Sequence, residues 1–185
     1  MKNTIILAAL ASALVMLGLQ YGVLDAPAPP EPILVSQPTE ASIKEEVKIE
    51  RYQKRLQRAT KVVARVYRKV GCSQAYTDAT ARAAVENDLS PSLLAGLVFV
   101  ESSCNPRAKD GRGSFGLTQV NSKVWGNQRV FPLYDPEFNL RVGASILASY
   151  VRRFGLVEGL HHYNGYSDVH EHIYVKKVLT AAGLV

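Results

Sequence analysis

The sequence predicts an all-helical domain, and three observations carry that prediction. From Cys72 onward apolar residues recur at helical spacing. The breaks between these stretches are polar or contain glycine, and no run alternates apolar and polar residues for long enough to promise a sheet. Helices are expected over 75–87, 91–102, 137–154, 156–163 and 171–182.

In chain order, the first segment is 1–24. Lys2 is followed by an uncharged, mainly apolar stretch over 4–24 that ends before Asp25. That stretch reads as an export signal and is long enough to span a bilayer. The small-residue site Ala26-Pro27-Ala28 is followed at once by Pro29, which favours a retained signal anchor over a cleaved signal peptide. The expected location is therefore outside the cytoplasm, in the periplasm, with residues 4–24 holding the chain in the inner membrane. Residues 25–43 follow as a tether, kept extended by Pro27, Pro29, Pro30, Pro32 and Pro38.

Residues 44–70 read as a basic amphipathic helix, with Ile49, Tyr52, Leu56, Ala59, Val63, Val66 and Val70 spaced three and four apart. Such a helix can dock on its own domain, pair with a second copy or lie on an anionic surface. The formal charge of the whole chain is +6. Ten basic residues against three acidic ones fall in 44–70, whereas 71–185 holds eleven against ten. The globular part is thus nearly neutral, which argues against a nucleic-acid-binding domain. The basic segment suits anionic lipid or wall polymers. The sequence carries no signal of oligomeric state.

The domain proper is expected over 71–185. Its two cysteines, Cys72 and Cys104, would pair in an oxidising compartment, contributing about 3 kcal/mol through loop closure, or remain as two buried thiols. Zinc sites need closely spaced ligand pairs, which these cysteines lack, so no metal is expected. The helix over 91–102 is sharply punctuated, with Ser90 as N-cap, Pro91 at the first position and Asn105-Pro106 beyond its end. It reads PSLLAGLVFVES, apolar on almost every side, and so should cross the core and deliver Glu101 at its last turn. Leu94, Leu97 and Val98 exclude water there, and the negative end of the helix dipole adds repulsion. Both effects keep a carboxyl protonated, as a general acid requires. A Glu that merely emerges into solvent is the plainer alternative.

The residues around Glu101 favour the acid. The string DLSPSLLAGLVFVESSCNPRAKDGRGSFGLTQVNSKVW resembles the catalytic core of the soluble lytic transglycosylases and the related goose-type lysozymes, in which an apolar helix ends in Glu-Ser and a Gly-Leu-x-Gln turn follows. YDPEFNLRVGASILASYVRRFG, HHYNG and IYVKKVL then resemble the family's Asp-Pro-x-x-Asn-Leu helix, its Tyr-Asn motif and its closing Tyr-Val helix, in the family's order. The resemblance implies a lysozyme-like helical domain with a cleft for the glycan strands of peptidoglycan. It also implies cleavage of the β-1,4 bond between N-acetylmuramic acid and N-acetylglucosamine with closure of a 1,6-anhydromuramic acid end, and no cofactor.

Carried over position by position, Glu101 is the acid and base. Ser102, Gly116, Gln119, Tyr163, Asn164 and Tyr174 fall on substrate-binding positions. Two features bear on the product. Goose-type lysozymes place an aspartate after the Phe-Gly-Leu-x-Gln-Val string, where this chain has Asn121, which favours the transglycosylase. Asp110 lies in the glycine loop near another such aspartate and is a possible second carboxylate, which keeps a hydrolase in view. A non-catalytic wall-binding or virion structural protein is the alternative of another class. Thr118 stands where the turn often carries Met, and neither His161 nor His162 is assigned to catalysis.

Overall fold

A computed structural model of the chain describes residues 39–123, 131–165 and 171–185. The chain divides into two units, Met1–Pro38 and Thr39–Val185, and every described residue belongs to the second. The expected signal segment and most of the tether lie outside the described residues. Among those residues no helix is long and apolar enough to cross a membrane.

The described residues of the second unit form six α-helices: α1 (Glu40–Val70), α2 (Thr77–Glu86), α3 (Pro91–Ser102), α4 (Pro136–Phe154), α5 (Leu156–Asn164) and α6 (Glu171–Ala182). Helix α1 starts at Glu40, inside the stretch read as tether. Thr39 follows Pro38, takes an extended backbone and accepts the Ser42 N–H at 3.2 Å, so the helix is capped well ahead of the apolar periodicity that begins at Ile49. Only the second half of α1 joins the core, through Ala59, Val63, Val66 and Tyr67. Ile43, Val47, Ile49 and Tyr52 in the first half remain exposed. Of the three ways to dock this helix, packing on its own domain is the one seen for its second half. There the Tyr67 hydroxyl meets that of Thr80 at 2.7 Å inside the core, and Arg55 pairs with Asp88 at the surface.

Helix α3 runs through the centre, with Leu93, Leu94, Ala95, Leu97 and Val98 all buried and α1, α2 and α6 packed on it. Gly96 sets the approach of α6, because a Cβ there would lie 2.7 Å from the Ala182 nitrogen and the Val178 carbonyl oxygen. Helix α4 packs between α2 and α5, capped by Asp135, whose carboxylate accepts the Phe138 N–H at 2.8 Å, with Pro136 at its start. The sequence promised no sheet. Among the described residues one minimal antiparallel hairpin is present, β1 (Ser114–Phe115) with β2 (Val120–Asn121), whose two-residue strands are too short to leave an alternating pattern. Cys72 follows α1, Cys104 follows α3, and the two form a disulfide across Cα atoms 5.7 Å apart.

Candidate active site

Helix α3 delivers Glu101 to an open cleft of about 550 Å³ between the loop and hairpin over 110–121 and the facing sides of α4 and α5. Asp110, Gln119, Tyr163 and Asn164 line it with Glu101. Helix α6, drawn against α3 at Gly96, brings up Tyr174, whose hydroxyl donates to the Glu101 carboxyl Oε1. Burial pushes the Glu101 carboxyl up to about 7. The Tyr174 hydrogen bond opposes that rise and the Asp110 charge adds to it. At neutral pH the group is therefore poised between acid and base, the condition under which one carboxyl can first give and then take a proton. Burial and the Glu101 charge hold the Tyr163 and Tyr174 phenols well above their ordinary range, so both remain neutral donors.

Asp110 is differently placed. Partial desolvation would raise its carboxyl, but the N–H groups of Ser114, Arg112 and Gly113 and the Ser114 hydroxyl outweigh this and hold it below the usual range. Its Oδ1 accepts from Arg112 N–H at 2.9 Å and Ser114 N–H at 2.7 Å, folding the glycine loop around a carboxylate that stays ionised.

Two of the residues assigned to the substrate do other work. The Ser102 hydroxyl sits between the carbonyls of Val98 at 3.0 Å and Leu117 at 2.8 Å, and so ties the end of α3 to the turn beyond it. Gly116 is buried with φ +78, and a Cβ there would stand 2.2 Å from Asn139 Nδ2 and 2.3 Å from the Leu133 carbonyl oxygen. It permits a close approach of backbone to α4 and does not line the cleft. Gln119 does line it, with a left-handed backbone at φ 49 and its Nε2 donating to the Gly116 carbonyl at 2.9 Å. The Tyr163 hydroxyl donates to the Thr118 carbonyl at 2.8 Å, bracing α5 against the same turn.

The anchor of that turn is a residue that sequence reasoning passed over. Asn139 on α4 is fully buried and makes four hydrogen bonds through its amide. Its Oδ1 accepts from the Thr118 N–H at 2.8 Å and the Thr118 hydroxyl at 2.7 Å, while its Nδ2 donates to Phe115 at 2.8 Å and Leu133 at 2.9 Å. The only signal was its place in Asp-Pro-x-x-Asn-Leu. Thr118 also fills the space that Gly143 leaves open on α4. Arg112, Tyr150 and His162 line the cleft without having been anticipated. His162 stacks on Phe154 at 4.0 Å and on Tyr150 at 5.5 Å between centroids. Residues that meet only through α4–α5 packing leave no common spacing in the sequence. No group of three or more His, Cys, Asp or Glu side chains among the described residues is arranged to hold a metal ion.

A family model described as the transglycosylase SLT domain matches residues 78–173, just over half of the chain. The chain belongs to the SLT transglycosylase domain family. The matched stretch runs from α2 into α6 and holds Glu101, the hairpin, Asn139 and Tyr163, but stops one residue short of Tyr174. A protein of Enterobacteria phage PRD1 named transglycosylase is 38% identical over 73 residues, which cover 40% of this chain and 28% of that protein. The SLT chain therefore spans little more than a quarter of that relative's length. No solved structure matches it significantly.

Proposed function

We propose that this protein is a peptidoglycan lytic transglycosylase on a lysozyme-like helical fold, with Glu101 as its single acid and base. The observation that carries this reading is Glu101 itself, a carboxyl raised to about 7 by burial, held by Tyr174 and set in an open cleft.

Retaining glycosidases normally need two carboxyl groups about 5 Å apart, and inverting ones a wider pair with room for a water. A reaction whose nucleophile belongs to the substrate needs one. Glu101 protonates the glycosidic oxygen between N-acetylmuramic acid and N-acetylglucosamine as that bond breaks, and the neighbouring N-acetyl group supports the anomeric carbon. The resulting carboxylate then takes the proton of the sugar's 6-hydroxyl, whose oxygen closes the 1,6-anhydro ring. Because the attacking group is tethered to the same sugar, orientation replaces recruitment of a water. Gln119, Tyr163 and Asn164 hold the sugar rings, and Tyr174 orients the carboxyl. Glu101→Gln should abolish release of soluble fragments from purified wall; release at the parental rate would refute the assignment.

One observation favours a second reading. Asp110 lines the same cleft as an ionised carboxylate, so a hydrolase that activates water on Asp110 is the competing chemistry. We further propose that the chain is exported and held at the inner membrane by residues 4–24, with 25–38 as the tether. Cell fractionation tests this: the parent should pellet with membranes, and a variant with charged residues placed within 4–24 should not.

A further inference from the structure

The cleft is not electrically neutral. Asp110 holds an ionised carboxylate on one wall, and Glu101 at its base adds partial negative charge near neutral pH. A neutral sugar chain would be indifferent to this. Wall glycan is not neutral, because every muramic acid carries a lactyl arm that ends in a carboxylate or in a peptide bearing carboxylates. An anionic ligand entering this cleft needs a counter-charge.

Among the described residues that line the cleft, Arg112 is the one with a permanent positive charge. It is exposed, and its guanidinium forms no ion pair with a described carboxylate. Its backbone is pinned on both sides: its N–H donates to Asp110 Oδ1 at 2.9 Å, and its carbonyl accepts from Asn121 Nδ2 at 3.5 Å. The side chain is therefore mounted at a fixed point on the wall, and no described residue takes up its donors. A guanidinium offers two parallel N–H groups that match a carboxylate, which a lysine ammonium cannot reproduce.

We propose that Arg112 is a specificity-determining residue that binds a carboxylate carried on the lactyl arm of muramic acid, so that the cleft selects wall glycan over uncharged N-acetylglucosamine polymers. This rests on the reading of the cleft as a glycan site. It adds to that reading the part of the substrate that Arg112 takes.

The test is equilibrium binding, with Glu101→Gln added so that no strand is consumed. Two ligands of equal length are compared, a peptide-bearing wall tetrasaccharide and chitotetraose. Arg112→Gln should weaken the wall tetrasaccharide by about 3- to 10-fold and leave chitotetraose unchanged. It should also flatten the dependence of wall-tetrasaccharide binding on ionic strength, while Arg112→Lys recovers part of the affinity. Equal loss on both ligands, or loss on neither, would overturn the assignment of Arg112 while leaving the glycan site standing. If the protein with Arg112 intact bound neither ligand, the glycan site itself would be wrong.

Discussion

Glu101 is held in a state that costs the fold something. Its carboxyl rises from an ordinary 4.5 to about 7, so between those values the folded protein binds the proton more tightly than the unfolded chain does. Its burial is harmless below that window and becomes destabilising as pH climbs through it. Glu101→Gln should therefore be more stable than the parent at pH 8, by on the order of 3 kcal/mol, with the difference vanishing below about pH 4. Urea denaturation at the two pH values measures it. Activity should fall as pH rises past about 7, when the acid form is lost. Removing the Tyr174 hydroxyl removes the bond that favours the carboxylate, so Tyr174→Phe should move this alkaline limb to higher pH. Asp110→Asn removes a repelling charge and should move it to lower pH; pH–rate profiles of the two variants must diverge in those opposite directions. Glu101 was legible because the motifs that follow it stand in the family's order; the capped apolar helix that leads to it, taken alone, left a Glu emerging into solvent as the plainer reading. The partnership with Tyr174 was legible only as a family position, since it arises from two helices that meet at Gly96.

The turn between β1 and β2 is a separate device, built to present Gln119 and hold Tyr163. Buried polar groups cost about 1–3 kcal/mol each when left without partners. Asn139→Leu would strand the Phe115 and Leu133 carbonyls and the Thr118 N–H, so a loss of at least about 3 kcal/mol is expected in urea unfolding. Gly143→Ala acts on the same joint from the other side, because its methyl would stand 2.2 Å from Thr118 Oγ1. A cost of about 1–3 kcal/mol should follow, with catalysis impaired because the turn is displaced. The helices of this region were legible from periodicity, whereas Asp135-Pro136 was legible only as part of a family signature and its capping role came with the structure. The duties of Ser102 and Gly116 were not. A serine that bridges two carbonyls and a glycine that clears an asparagine look, in sequence, the same as a serine and a glycine that face a sugar.

In the described unit as a whole, α1 is bound to α3, the helix that carries Glu101, by chemistry as well as packing. Cys72 at the end of α1 and Cys104 at the end of α3 close a loop with a sequence separation of 32, which contributes about 3–4 kcal/mol in the chain-entropy model. Cys72→Ser should lower the melting temperature by roughly 10 °C, and reductant should do the same to the parent but not to the variant. The all-helical class and the order of helices from 75 to 182 could be read from spacing alone, because local periodicity dictates them. The early start of α1 at Glu40, the hairpin and the charge of the cleft could not. They depend on a single cap, on two-residue strands and on which loops the fold brings opposite α5.

The chemistry is decided by the ends of the fragments that the protein releases from purified peptidoglycan, read by mass spectrometry. A carboxyl working without a water-activating partner must leave 1,6-anhydromuramic acid ends, each lighter than a reducing end by one water. Fragments carrying only reducing ends would contradict it and favour the hydrolase, for which Asp110 is the candidate second carboxylate.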